Sequence, residues 1–196
     1  MKRDEQKSIQ IIKEAKKLFF RFGLKKVSVE EICSNCKIGK KTFYKIFPNK
    51  YEVAKAIIIE LEELHLVYYE EVKREPISFK EKMIKMINKK VESINTVEFQ
   101  FFRDVYENCD ELREFTEGLI KESERETFEF ISAEQSSGAL RKDLPARFMS
   151  YMLNEQARKL IMDPEVEKMI PETNDRIKGV VDIIVNGLVN SSIDTK

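Results

Sequence analysis

Three observations predict an all-α fold. Hydrophobic residues make up 42% of the 196-residue chain and charged residues 36%, the balance of amphipathic helices. Glycine and proline number only 6 and 5, so long stretches run without a breaker. Apolar residues recur at spacings of three and four, the period of a helix and not of a strand. A chain of this length buries a real core, either as one unit or as a small domain joined to a larger one, without needing a staple.

The first helix carries Ile12, Ala15, Phe19 and Phe22 on one face, with Lys13, Lys16, Lys17 and Arg21 largely elsewhere, and Gly23 closes it. Ser28-Val29-Glu30-Glu31 is a capping box, flanked by Val27 and Ile32 as a hydrophobic staple, and opens a short helix over 29–36. A third helix is expected over 40–46, because Pro48 stops it and Asn49-Lys50-Tyr51-Glu52 caps a fourth. The fourth runs to about Lys73 with Ala56, Ile57, Leu61 and Leu64 as its core stripe, and no linker is visible. Pro76 ends that pattern, and a second capping box, Ser78-Phe79-Lys80-Glu81, opens a helix through Met83, Ile87, Val91 and Ile94. Further helices are placed at 97–107, 110–135, 144–161 and 174–190, with breaks at Ser136-Ser137-Gly138 and from Pro164 to Pro171.

The zero net charge hides an asymmetry. Residues 1–55 hold 15 basic and 6 acidic side chains, and the remainder holds 20 and 29, so the two parts carry +9 and −9. A basic segment of that density is an electrostatic footprint for a polyanion. On charge alone, a solvated lysine-rich surface accounts for it equally well. The first residues show no apolar signal region, and the longest aliphatic run, Ala56 to Ile59, is far too short to span a bilayer. A cytoplasmic, non-membrane protein is expected. Three cysteines with no secretory context agree with a reducing compartment.

Two short helices at 29–36 and 40–46, about three residues apart, have the layout of a helix-turn-helix whose second member enters the major groove of DNA. That second helix offers Lys40, Lys41, Thr42, Tyr44 and Lys45, long donors and hydroxyls suited to phosphates and base edges, while Phe43 and Phe47 turn inward. Ile12, Ala15, Phe19, Gly23, Ser28, Val29, Ile32, Thr42-Phe43-Tyr44, Phe47 and Lys50 together resemble the N-terminal pattern of the TetR family of bacterial regulators. Beyond Glu52 the likeness reduces to helix number and length and a late Gly187-Leu188. The resemblance implies a three-helix DNA-binding domain over residues 1–50 and a larger helical ligand-binding and dimerisation domain over 51–196. It further implies that Ser28 donates to a phosphate and that Lys40, Lys41, Thr42 and Lys45 face the groove. Tyr44 and Lys50 would hold the DNA backbone, although a half-buried packing role is the plainer reading of Tyr44 taken alone. The sequence departs from the family pattern at Lys37, where a glycine is usual, at Gly39, where a capping serine is common, and at Lys41, where a small residue is usual. Gly39 still serves as a weaker cap.

Other chemistries fit less well. Cys33-Ser34-Asn35-Cys36 is a CxxC, but a zinc site would have to recruit Cys109 and His65 from distant helices, and two small core residues are the simpler reading. Glu62 and His65 have the Glu-x-x-His spacing of di-iron bundles, which need two such motifs, and the chain has one histidine. No nucleophile elbow, phosphate loop or HExxH is present. Neither catalysis, a cofactor nor a metal is expected.

The helices at 144–161 and 174–190 carry broad apolar surfaces: Phe148, Met149, Met152, Leu153, Leu160 and Ile161 on one, and Ile177, Val180, Val181, Ile184, Val185 and Leu188 on the other. A two-fold four-helix interface would absorb them, as the resemblance implies, and an ordinary buried pair is the alternative. The resemblance also places a ligand pocket among the central helices. Phe99, Phe102 and Tyr106 share a helix face and either line such a pocket for a small apolar effector or belong to the core. Two functions therefore stay open. One is a ligand-responsive homodimeric repressor on a palindromic operator; the other is a helical interaction module whose basic end binds nucleic acid or anionic surfaces nonspecifically.

Overall fold

A computed structural model describes residues 2–93, 96–107 and 109–189, with the side chains of residues 2, 3, 90–93, 96–100, 107, 157, 158 and 162 outside the description. Among the described residues the regular elements are helical, apart from an isolated antiparallel bridge between Leu140 and Val189. In order these are α1 (Lys2–Phe22), α2 (Val29–Cys36), α3 (Lys40–Ile46), α4 (Lys50–Arg74), α5 (Phe79–Ser93), α6 (Thr96–Glu107), a 3-10 turn (Asp110–Leu112), α7 (Arg113–Ser136), α8 (Ala146–Tyr151), a π turn (Met152–Gln156), α9 (Ala157–Met162), α10 (Pro164–Met169) and α11 (Thr173–Leu188). The all-α expectation holds.

One expected break is a helix. Asp163 accepts hydrogen bonds from the amides of Glu165 and Val166, and Pro164 occupies the first turn, where its missing N–H costs nothing. The prolines at 164 and 171 therefore bracket α10 instead of a loop. The single helix expected over 144–161 is interrupted by the π turn, whose wider hydrogen-bonding rotates the faces before and after it relative to each other.

The chain forms two compact units, residues 1–64 with 94–117 and residues 65–93 with 118–196. This division differs from the functional boundary expected at 50/51, because α6 packs on α1 and joins the first unit from far along the sequence. In the first unit Ile11, Ala15 and Phe19 of α1 are wholly buried, while Ile12 is half-buried and Phe22 is exposed beneath the Arg21 guanidinium. The true stripe is thus the i, i+4, i+8 row, and it meets Phe101 of α6, whose ring stacks on Phe19 at 5.9 Å. On α4 the core residues are Val53, Ala54, Ile57 and Ile58, and Leu64, expected in the stripe, is 62% exposed. Each fully buried side chain of this size contributes roughly 1.5–3 kcal/mol of transfer free energy.

The second unit gathers Phe79 of α5, Ile131 of α7, Leu140, Met149 of α8, and Val181, Val185 and Leu188 of α11 into one core, with Met83 and Ile87 packed at its edge. The side chain of Val91 and the whole of Ile94, also expected on the α5 stripe, lie outside the described residues. Arg176 is fully buried and donates to the Ile170 carbonyl at 2.8 Å, closing the turn between α10 and α11.

Candidate nucleic-acid interface

Two hydrogen bonds start α2. The Ser28 hydroxyl accepts the amide of Glu31 at 3.2 Å, and the Glu31 carboxylate accepts the amide of Ser28 at 2.7 Å, completing the capping box. These bonds hold the Glu31 carboxyl below the usual carboxylate range. The same carboxylate accepts the Ser28 hydroxyl proton at 2.8 Å. That hydroxyl has one proton to give, so donation to a phosphate, the role the resemblance implies, would draw it from the Glu31 carboxylate and leave both bonds of the cap in place. The far end of α2 is tied to α1, where the Gln10 side-chain amide donates to the Cys36 carbonyl at 3.1 Å.

Lys37 makes the turn. It sits at φ 53° and ψ 42°, the left-handed region that favours glycine, and Ile38 donates back to the Cys33 carbonyl at 3.0 Å. The turn is tight with a lysine in place of a glycine, at the cost of a strained residue. Gly39 follows in an extended conformation as the N-cap of α3, with no side-chain bond to the helix.

α3 is anchored by Phe43, which is wholly buried and edge-on to Tyr44 at 5.5 Å between ring centres, and by half-buried Phe47. Phe47 turns extended, as a residue before proline must, and so ends the helix. Lys40, Lys41, Tyr44 and Lys45 are exposed and Thr42 is half-buried, with Tyr44 at 52% exposure. The site residues expected on this helix thus share one short surface element. Two of its lysines are paired: Lys40 with Glu30 of α2, and Lys45 with Asp4 of α1 at 2.7 Å. Hydrogen bonds from these lysines hold both carboxyls below the usual range. Local patterning gave no sign of these partners, because one is 10 residues away and the other 41.

Lys50, expected to hold the DNA backbone, has its partners within the domain. Its ammonium donates to the carbonyls of Leu24 at 2.9 Å, Lys25 at 3.1 Å and Val27 at 2.8 Å, and burial lowers its pKa. An ammonium has three protons, and all three are taken. Lys50 therefore has no donor left for a phosphate in this arrangement.

Other candidate residues are accounted for in place. Cys33 and Cys36 are buried free thiols, and burial pushes them up, Cys36 to about 11. They occupy core positions. His65 stacks on Tyr69 at 5.9 Å, and no cluster of three metal-ligating side chains occurs among the described residues. Phe102 and Tyr106 are half-buried, while the side chain of Phe99 lies outside the described residues. The ring of α6 at the centre of the first unit is Phe101, which the stripe drawn through 99, 102 and 106 passed over. No described helix is long and apolar enough to cross a membrane.

Residues 11–57 match the family model described as bacterial regulatory proteins, tetR family. No curated protein matches the chain in sequence. Among solved structures, SmeT, the repressor of the Stenotrophomonas maltophilia multidrug efflux pump SmeDEF, is 16% identical with a TM-score of 0.72, over 94% of this chain and 91% of that one. The fatty acid degradation regulator FadR from Bacillus halodurans is 17% identical with a TM-score of 0.75, over 92% and 95%. A protein from Saccharomonospora viridis in complex with choline is 14% identical with a TM-score of 0.73, over 95% and 99%. At such identities the likeness is one of fold.

Proposed function

We propose, from a chain that carries the TetR-family domain at residues 11–57 within the fold of TetR-like regulators, that it is a sequence-specific DNA-binding transcriptional regulator. It acts as a ligand-responsive homodimeric repressor on a palindromic operator in the cytoplasm, and it is not an enzyme. Residues 1–50 read the DNA, and residues 51–196 bind the effector and dimerise.

The observation that carries this reading is the concentration of Lys40, Lys41, Thr42, Tyr44 and Lys45 on α3, a short helix held behind a tight turn by a buried phenylalanine. A nonspecific polyanion binder needs only diffuse charge, whereas a groove reader needs donors fixed on one rigid element. Gly39, at the N-cap, lets the backbone approach the duplex. Ser28, at the cap of α2, adds a phosphate contact through its hydroxyl proton.

Exposed Phe148, Leu160 and Ile183 support a two-fold pairing of the helices that carry them, and half-buried Phe102 and Tyr106 suit a small apolar effector. Selection from a random duplex library tests the reading. A near-palindrome with half-sites about one helical turn apart should be enriched. Tyr44→Ala should weaken its binding. Recovery of unenriched, unrelated sequences would instead support a basic module with no sequence preference.

A further inference from the structure

The turn between α1 and α2 is fastened to the start of α4 by one side chain. Gly23, at φ 82°, ends α1, and Leu24 and Val27 bury their side chains on either side of exposed Lys25 and Lys26. Ser28, the cap of α2, is the next residue. Lys50 reaches this turn from the first position of α4, which Asn49 caps by accepting the amides of Tyr51 at 2.9 Å and Glu52 at 3.0 Å. Its base is therefore fixed, and its ammonium meets the carbonyls of Leu24, Lys25 and Val27 between 2.8 and 3.1 Å. Asp104 of α6 accepts the Lys25 amide from another side at 3.4 Å.

We propose that Lys50 is a positioning residue: it clamps the 24–27 turn, fixes where α2 begins and so seats α3 against DNA, without itself contacting a phosphate. The inference rests on the DNA-binding reading above. Its chemistry is specific to lysine. Three converging carbonyls suit the three pyramidal protons of an ammonium, and the flat fork of a guanidinium cannot address all of them. An arginine would, however, serve at least as well on a phosphate.

That contrast supplies the test. Lys50→Met and Lys50→Arg are compared with the wild type for binding to the selected duplex and to a scrambled one across a salt series. Amide hydrogen exchange over residues 24–31 is followed in the DNA-free proteins. Both variants are expected to lose roughly tenfold or more in affinity for the selected duplex, through carbonyls left without their donor. Both should keep wild-type affinity for the scrambled duplex and the wild-type salt slope, with faster exchange over 24–31. A phosphate contact would instead lower the slope for Lys50→Met by about 1, weaken both duplexes alike, and leave Lys50→Arg near wild type. That result, or unchanged binding and exchange in both variants, overturns the proposal. If the wild type fails to discriminate the duplexes, the DNA-binding reading fails by itself. The exchange data then still decide whether the clamp exists, and the arginine variant keeps the comparison open if Lys50→Met does not fold.

Discussion

Lys37 holds a backbone conformation at φ 53° that costs a side chain with a Cβ roughly 1 kcal/mol. The sequence marks it as unusual, since a lysine stands where the resembling family has glycine, but whether the turn would bend or the residue would strain depends on the Ile38 to Cys33 bond that closes it. Lys37→Gly should stabilise the chain by about 0.5 kcal/mol, the relief of strain less the extra freedom of the unfolded glycine. Lys37→Val should destabilise it, and urea unfolding of both checks this. Cys36 gives a pH dependence. Its thiol titrates ordinarily at 9.0 and in the fold at about 11, so the folded chain keeps a proton that the unfolded chain releases. The stability linked to this group is whole below pH 9 and is lost as pH rises toward 11. The urea midpoint of the wild type should therefore fall more steeply over that window than that of Cys36→Ala. Both thiols should also resist alkylation at neutral pH in the folded protein.

At the scale of elements, local signals were legible and distant ones were not. Both capping boxes, at Ser28 and at Ser78, are formed as read, because each needs only residues three apart. The start of α2 follows from the first of these and the end of α3 from Pro48. On α1 the expected Ala15 and Phe19 are buried, but periodicity admits both Ile11 and Ile12, and the helices that pack on α1 from elsewhere in the sequence bury Ile11. The prolines at 164 and 171 read as breakers in the sequence, yet Asp163 before the first of them is a start signal and α10 forms between them. The pairs Lys40 with Glu30 and Lys45 with Asp4 set a further expectation. Each carboxylate occupies a lysine that a phosphate would claim, and each repels the DNA backbone. Glu30→Gln and Asp4→Asn should therefore raise affinity severalfold for selected and scrambled duplexes alike, as measured by fluorescence anisotropy at low salt. Ser28→Ala should cost about 1 kcal/mol of stability by removing the cap.

Across the whole molecule, the all-helical pattern is legible in composition and periodicity, and the charge asymmetry in how the lysines and carboxylates are distributed along the chain. The grouping of α6 with α1 is not, because it joins residues some 80 positions apart, as the stacking of Phe19 on Phe101 shows. Nor did patterning show which apolar residues of the last helices stay outside the chain's own core. Val181, Val185 and Leu188 are buried, whereas Ile183 is 75% exposed. If that exposed surface pairs two copies, Ile183→Glu should give monomers in sedimentation and weaken operator binding by uncoupling the half-sites. The central claim is that α3 reads base edges and does more than attract phosphates. The most direct measurement is the affinity of the wild type for the selected duplex and for its scrambled counterpart from low to physiological salt. The account predicts a gap of about a thousandfold or more that persists as salt rises, because base contacts release no counterions. Equal affinities that fall together along one steep salt dependence would contradict it and leave the basic end as a nonspecific polyanion binder.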